Sequence, residues 1–329
     1  MKKGMGQMAI VLFLLSLFFP AGGVFGQEKA FPTGPINLYV GYPPGGGVSN
    51  TALILIEKMK EYLNQPVVIN YKPGAASAIA ADFVAKSKPD GYTLYYTADL
   101  DIVINLILEG SSRKFTMDDF VSLGATVTNV YALVVKSDSP WKTLEEFIDF
   151  GRKSPPGTLT IGGSGLSNPS HMAAELLSMK AGTRSTYVPF QGGGPADTAL
   201  LGGHVSASVG SIGRYIERLK PGGGLRALAV TDRTRHPNYP DVPTLLEKGY
   251  DIAITSFNAL HAPKGLPNIA KNVLVQAFEK TAKDSKIVSI LSKEGYRTTY
   301  YTPEEIDKMN KADSIFYQDL FTKAGILKK

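Results

Sequence analysis

The stretch Ile36-Asn37-Leu38-Tyr39-Val40-Gly41-Tyr42-Pro43-Pro44-Gly45-Gly46-Gly47-Val48-Ser49 decides how this chain is read. Apolar residues alternate from Ile36 to Gly41 as on a strand, the loop Tyr42 to Gly47 breaks the alternation, and Ala52, Ile56, Met59 and Leu63 then recur at helical spacing. This is a strand, turn and helix unit, and it repeats. Val67 to Tyr71 is β-branched and reads as the next strand, Lys72-Pro73-Gly74 turns, and Ser77 is placed to cap a helix carrying Ile79, Phe83 and Val84. Asp90-Gly91 then turns into a strand from Tyr92 to Thr97. Strands alternating with helices imply a parallel, helix-covered sheet.

A second series begins at Tyr131 to Val135, which places a lobe boundary near Val130. Thr143 and Glu146 have the spacing of a capping box before Phe147 and Phe150. Strand Thr158 to Ile161, a helix from about Pro169 to Ala181, strand Thr186 to Pro189, a short helix after Pro195 and strand His204 to Val209 follow, and Leu225 to Val230 is a further strand. With Pro237, Pro240 and Pro243, the stretch Thr231 to Pro243 reads as a long exposed loop. Thr302-Pro303-Glu304-Glu305 combines an N-cap, a proline at the first helical position and a capping-box acid, and it opens one of the terminal helices, which are expected to pack on the first lobe.

Four times a strand ends, a Gly- or Ser-rich loop follows and a capped helix begins. The loops are Gly45-Gly46-Gly47 before Ser49, Gly74-Ala75-Ala76 before Ser77, Gly162-Gly163-Ser164-Gly165 before Ser167 to Ser170, and Gly192-Gly193-Gly194 before Pro195. A helix start exposes unpaired N–H groups at the positive end of its dipole, and glycine lets that backbone approach a ligand closely. A single loop of this kind is more often just a turn. Four of them beyond strand carboxyl ends, two in each lobe, make a site that grips a carboxylate.

Composition and the N-terminus bound the setting. Met1-Lys2-Lys3, the apolar run Ala9 to Phe19, and small residues leading to Val24-Phe25-Gly26 form a signal peptide over residues 1–26, with cleavage between Gly26 and Gln27. Ser16 and Pro20 make the run too short and broken for a membrane anchor. Its removal takes Lys2 and Lys3 and lowers the formal charge from +6 to +4. With basic residues scattered rather than gathered, nucleic acid is not an expected partner. The absence of cysteine excludes a lipobox, disulfides, a thiol nucleophile and a Cys-based metal site. About 300 mature residues suffice for two domains with separate cores.

Enzymatic patterns fail residue by residue. Gly162-Gly163-Ser164-Gly165-Leu166 would need glycine at Leu166 to be a nucleophile elbow. No glycine loop runs into Lys-Ser or Lys-Thr, and no stretch fits G-x-G-x-x-G with a following acid. His171 and Glu175 lie one turn apart but lack a second ligand pair, so they read as helix-start and packing residues, with His171 bonding a loop carbonyl. Trp141 precedes a helix and reads as packing.

Phe31-Pro32-Thr33 with Pro35-Ile36, Tyr42 to Gly47, Gln65-Pro66-Val67-Val68, Lys72-Pro73-Gly74-Ala75 and Pro89-Asp90-Gly91-Tyr92-Thr93-Leu94 are one set of distinctive stretches. Ser170-His171-Met172 with Glu175, Val188-Pro189-Phe190-Gln191-Gly192 with Pro195-Ala196, Leu201-Gly202-Gly203, Leu225 to Val230, Asp241-Val242-Pro243-Thr244 and Thr302 to Glu305 are another. In this order they resemble the Bug family, the periplasmic solute-binding receptors of tripartite tricarboxylate transporters, over nearly the whole mature chain.

That resemblance implies an α/β, two-lobed type II periplasmic-binding-protein fold, each lobe a helix-flanked mixed sheet, with the ligand cleft between the lobes. Residues 27–130 and 252–329 would form lobe 1 and residues 131–251 lobe 2. It implies a monomeric periplasmic receptor without cofactor, metal or catalytic residue, which captures a small organic carboxylate and delivers it to integral membrane permease subunits. The implied ligand contacts are Tyr42, Pro44, Gly45, Gly46, Ser49, Ala75 and Thr97 from lobe 1 and Gly163, Ser164, Ser170 and Gln191 from lobe 2. Where the family commonly has Thr-Asp after the triple glycine this chain has Val48-Ser49, and the usual acidic strand end is Ser208-Val209-Gly210-Ser211. Losing those acids removes partners for a ligand ammonium and argues against an amino acid. Two rival readings remain: a ligand-binding co-receptor for a sensor kinase, and an exported serine hydrolase using Ser164 and His171.

Overall fold

The computed structural model describes residues 30–327, so the signal peptide read over residues 1–26 lies outside the described residues. The elements in chain order are β1 Ile36–Val40, α1 Gly47–Leu63, β2 Val67–Tyr71, α2 Ala78–Ala85, β3 Thr93–Ala98, α3 Asp99–Glu109, β4 Phe120–Lys136, α4 Leu144–Lys153 and β5 Thr160–Gly163. They continue with α5 Pro169–Ala181, β6 Thr186–Pro189, α6 Gly193–Leu201, β7 Ala207–Ser211, β8 Leu225–Val230, β9 Thr255–Pro263, α7 Asn268–Lys283, α8 Ser285–Lys293 and α9 Pro303–Lys323. No described helix is long and apolar enough to cross a membrane.

The deciding stretch folds as its pattern requires. Ile36, Leu38 and Val40 alternate into the core, and α1 buries Ala52, Leu55, Ile56, Met59 and Leu63 along one face before ending at Asn64 in the left-handed region. The mixed sheet runs β2-β1-β3-β9-β4-β7-β5-β6, with β8 also paired to β4. β1 is parallel to β2 and β3, and β5 to β6 and β7, while β9 and β4 run antiparallel to their neighbours.

β4 corrects the sequence reading. The second series does not open on a new strand at Tyr131, because Phe120–Lys136 is continuous and exchanges partners there. Phe120 to Val130 pairs with β9, and from Tyr131 onward the partners are β7 and β8. Gly124 and the polar run Thr126, Thr128 and Asn129 hid its first half from an apolar pattern. Register shifts at Ser122/Gly124 and Thr126/Thr128 mark bulges that bend it, and the segment at Arg297 and Tyr301 pairs with it beside them.

β9 was not anticipated at all, since Ser256, Asn258 and His261 are polar yet buried. Ser77 does precede α2 but makes no side-chain cap; its hydroxyl bonds Tyr95 Oη instead, and α2 buries Ala78, Ala80, Ala81 and Val84 while Ile79 and Phe83 are exposed. The Thr231–Pro243 stretch is irregular but anchored, with Thr231, Asp232 and His236 buried.

One core gathers β1, α1, β3, β9 and α7 around Leu38, Leu55, Met59, Tyr96 and Phe278. A second gathers Leu133, Phe147, Ile161, Met172 and Val209, and it also takes in Leu100, Val103 and Ile104 of α3 with Tyr317 and Phe321 of α9. The end of α9 joins this second core beside α3, while Ile306 near its start packs with Ala125, Phe257 and Ala259. The ring of Trp141 sits against Phe147 and Phe150, as its position before α4 suggested.

Candidate functional site

A cavity of about 40 Å³ lies at the carboxyl ends of β1, β3, β5, β6 and β7. Its wall is made by Tyr42, Gly46, Gly47 and Val48 from the β1–α1 junction, Ala98 and Asp101 from β3–α3, and Asn129 and Tyr131 from β4. Ser164, Asn168, Pro169 and Ser170 come from β5–α5, Gly193 from α6, and Gly210, Ser211 and Arg214 from the end of β7 and the turn after it. The right-handed crossovers of parallel strands deliver helix starts to this edge.

The helix starts differ in how they are finished. The N-caps of α1 and α6 are Gly46 and Gly192, neither supplies a side-chain cap, and neither helix has an acid in its first turn. Their first N–H groups, with the positive dipole end, are thus not met by side-chain caps at the cavity. By contrast, α5 is capped by Asn168, whose Oδ1 accepts from His171 N–H at 3.0 Å. The same side chain donates through Nδ2 to Ser164 O at 3.1 Å and fixes the β5–α5 loop.

Of the residues anticipated from sequence, Tyr42, Gly46, Ser164 and Ser170 line this cavity. Ala75 and Gln191, again with Tyr42 and Ser164, line an adjoining one beside Gly74, Glu109 and Arg113. Pro44, Gly45, Ser49, Thr97 and Gly163 line neither. Ser49 is fully buried and its hydroxyl donates to Pro43 O at 2.8 Å, bracing the loop from behind. Thr97 is buried with its hydroxyl donating to Ser77 Oγ at 3.3 Å. Pro44 and Gly45 form the outer rim, and Gly163 makes room for Tyr187, whose hydroxyl would lie 2.2 Å from an added Cβ.

Sequence reasoning missed Asp101, Asn129, Tyr131 and Arg214, and noted Ser211 only within a strand end that lacks its acid. None sits in a glycine loop, and nothing in the spacing of a strand interior, a helix start or a short turn announces that it faces a cleft.

Burial pushes the Asp101 carboxyl from its ordinary 3.8 up to about 8, and the Tyr42 hydroxyl donates to its Oδ2 at 2.9 Å. Burial therefore favours the neutral acid there. Burial opposes the charge of Arg214, but the Asp197 carboxylate at 2.9 Å prevails and holds the guanidinium above its usual range. Burial alone takes His171 down to about 4, so its 3.8 Å approach to Glu175 is not an ion pair at neutral pH. His171 Nδ1 accepts the Ser167 backbone N–H at 3.2 Å, rather than His171 bonding a loop carbonyl as expected. The Ser164 hydroxyl is 3.1 Å from Ser170 Oγ and accepts from Asn168 Nδ2 at 3.2 Å, and among the described residues it makes no bond to His171. No cluster of three or more His, Cys, Asp or Glu suited to a metal occurs among the described residues.

Loops from the two halves of the sheet meet over the cavity. A Cβ added at Gly192 would lie 2.8 Å from Pro43 Cδ, one at Gly47 3.5 Å from Ser211 Cβ, and one at Gly165 3.6 Å from Ala76 Cβ.

Residues 52–325 match the family described as the tripartite tricarboxylate transporter family receptor. A UPF0065 protein in the gbd 5' region of Cupriavidus necator is 34% identical over 259 residues, 77% of this chain and 76% of that protein. Among solved structures, the periplasmic binding protein BugD superposes with a TM-score of 0.85 at 26% identity, covering 91% of this chain and all of that one. MatC from Rhodopseudomonas palustris, solved with bound malate, does so with a TM-score of 0.81 at 25% identity, covering 88% and 99%.

Proposed function

The chain belongs to the tripartite tricarboxylate transporter receptor family, the Bug proteins, and from that premise we propose that it is an exported receptor that captures a small organic carboxylate and hands it to membrane permease subunits. The observation that carries this reading is the pair of α1 and α6 N-termini, both without side-chain caps and both opening on one cavity lined by the Ser164 and Ser170 hydroxyls. Such a surface offers backbone N–H groups and partial positive charge to an anion, with no acid in the first turn of either helix. That MatC binds malate agrees with a carboxylate cargo.

The carboxylate takes its first contacts from Tyr42, Gly46, Ser164 and Ser170, with Ala75 and Gln191 at the adjoining cavity for the rest of the molecule. Pro44, Gly45, Ser49, Thr97 and Gly163 shape the loops. Lobe 1, residues 27–130 with 252–329, and lobe 2, residues 131–251, rotate about the point where β4 changes partners and about the strand-to-strand passage from Thr231 to Thr255. The exchange of partners at Val130/Tyr131 supports that division, with α3 and the end of α9 lying across the seam. Closure is stabilised by ligand contacts from both lobes, and the closed monomer docks on the permease from the periplasm.

A thermal-unfolding screen of the protein against organic acids, amino acids and sugars tests the reading. At a hundredfold excess over its dissociation constant, the cognate carboxylate raises the midpoint by about 5 °C. Stabilisation by sugars or amino acids with none by carboxylates overturns it.

A further inference from the structure

Arg214 is a buried cation in the cavity wall whose donors are incompletely used. Its side chain is 5% exposed, Nη2 donates to Asp197 Oδ1 at 2.9 Å and to the Tyr215 hydroxyl, and the guanidinium carbon lies 4.7 Å from the Tyr215 ring centre. Nε is buried without an acceptor among the described residues. The slot around the group is shaped by glycine: an added Cβ would fall 2.1 Å from Nη1 at Gly193 and 2.2 Å from Cζ at Gly210.

A buried N–H without an acceptor is costly, but Arg297 shares that condition away from the cavity, so it is not what sets Arg214 apart; its place in the cavity wall is. Nor does one carboxylate require this cation, since the helix starts supply an anion-binding end without any formal charge. Asp197 balances the charge and Nε is left without an acceptor, in a side chain that lines the cavity and whose planar guanidinium is suited to reading a carboxylate.

Resting on the carboxylate-receptor reading of this cleft, we propose that Arg214 is its specificity-determining residue and takes a second carboxylate of the ligand, so that the cargo is a dicarboxylate dianion. One end of the ligand sits on the start of α1 at Gly46 and Gly47, and the other sits against Arg214.

The test is calorimetry with matched probes: succinate against butanoate, adipate against hexanoate, and malate against 2-hydroxybutanoate. The wild-type protein prefers the diacid of at least one pair by about tenfold to a hundredfold, as a charged hydrogen bond requires. Arg214→Met abolishes that preference by weakening the diacid to the level of the monoacid, whose affinity is unchanged. Because this variant leaves Asp197 unpaired, the double variant Asp197→Asn with Arg214→Met is measured beside it, and it shows the same lost preference with a restored unfolding midpoint. Equal binding of diacid and monoacid by the wild type, or a preference that survives in both variants, overturns the role of Arg214 while the receptor reading stands. So does a parallel loss of diacid and monoacid binding. Failure of every carboxylate in a wider panel to bind the wild type overturns both.

Discussion

Asp101 makes the cleft sensitive to pH, and the sign follows from its surroundings. Its folded value near 8 lies above the ordinary 3.8, because burial disfavours the carboxylate. The stability it contributes is full below about pH 4 and is lost as pH rises through about 8. Above that point a carboxylate faces the incoming anion. Binding of a carboxylate ligand should weaken by about tenfold between pH 7 and pH 9, where roughly a tenth of Asp101 keeps its proton. Asp101→Asn should flatten this profile, and calorimetry at both pH values checks it. Gly46 offers a second residue-scale outcome. It is in extended conformation with φ −86°, and an added Cβ would have as its nearest neighbour Pro43 O at 3.7 Å, so the backbone accepts a side chain. Gly46→Val should leave the unfolding midpoint unchanged and weaken ligand binding by about tenfold, as backbone approach is blocked.

At the scale of elements, the cavity is lined both by a helix start finished by a side chain, α5, and by starts left open, α1 and α6. Asn168 finishes α5 and also ties Ser164 and Ser170, so Asn168→Ala should cost about 2 kcal/mol of stability and loosen the loop, weakening ligand binding too. Thr302 finishes α9 in a full capping box with Glu305, remote from the cavity wall. Thr302→Ala should cost about 1 kcal/mol in chemical denaturation with ligand affinity intact. Capping boxes at Thr143 and Thr302 were legible because partner and acceptor are three residues apart in the chain. The failure at Ser77 has the same root: its hydroxyl found Tyr95, eighteen positions away, a partner that local spacing does not reveal.

For the whole molecule, the interest lies in what crosses between the halves of the sheet. Ser211 Oγ donates to Asn129 Oδ1, Asn129 Nδ2 to Asn258 Oδ1, and Asn258 Nδ2 to Thr51 Oγ1, a relay from β7 through β4 and β9 to the first turn of α1. At the rim, Ser167 donates to Glu109 Oε1 at 2.7 Å, and Asn105 Nδ2 donates to Ser167 O at 3.1 Å, joining α3 to the β5–α5 loop. Glu109→Ala should favour an open form at a cost of about 1 kcal/mol to closure, lowering ligand affinity severalfold without lowering the unfolding midpoint. Small-angle scattering should show a larger radius for the ligand-free variant than for the wild type.

Pattern along the chain was enough for β1, β2, β6 and β8, for α1 and α5, and for the four glycine loops, because strand alternation, helical spacing and turn chemistry are set by neighbours within a few residues. It also brought Tyr42, Gly46, Ser164 and Ser170 to notice, through the resemblance those loops carry. The length of β4, the whole of β9 and the cleft residues Asp101, Asn129 and Arg214 were settled by folding alone. A polar side chain inside a strand looks out of place until partners more than a hundred residues distant satisfy it, as Asn258 does for Asn129 and Asp99 for His261. Those partners are brought together by chain closure, and no local spacing encodes which of them will meet.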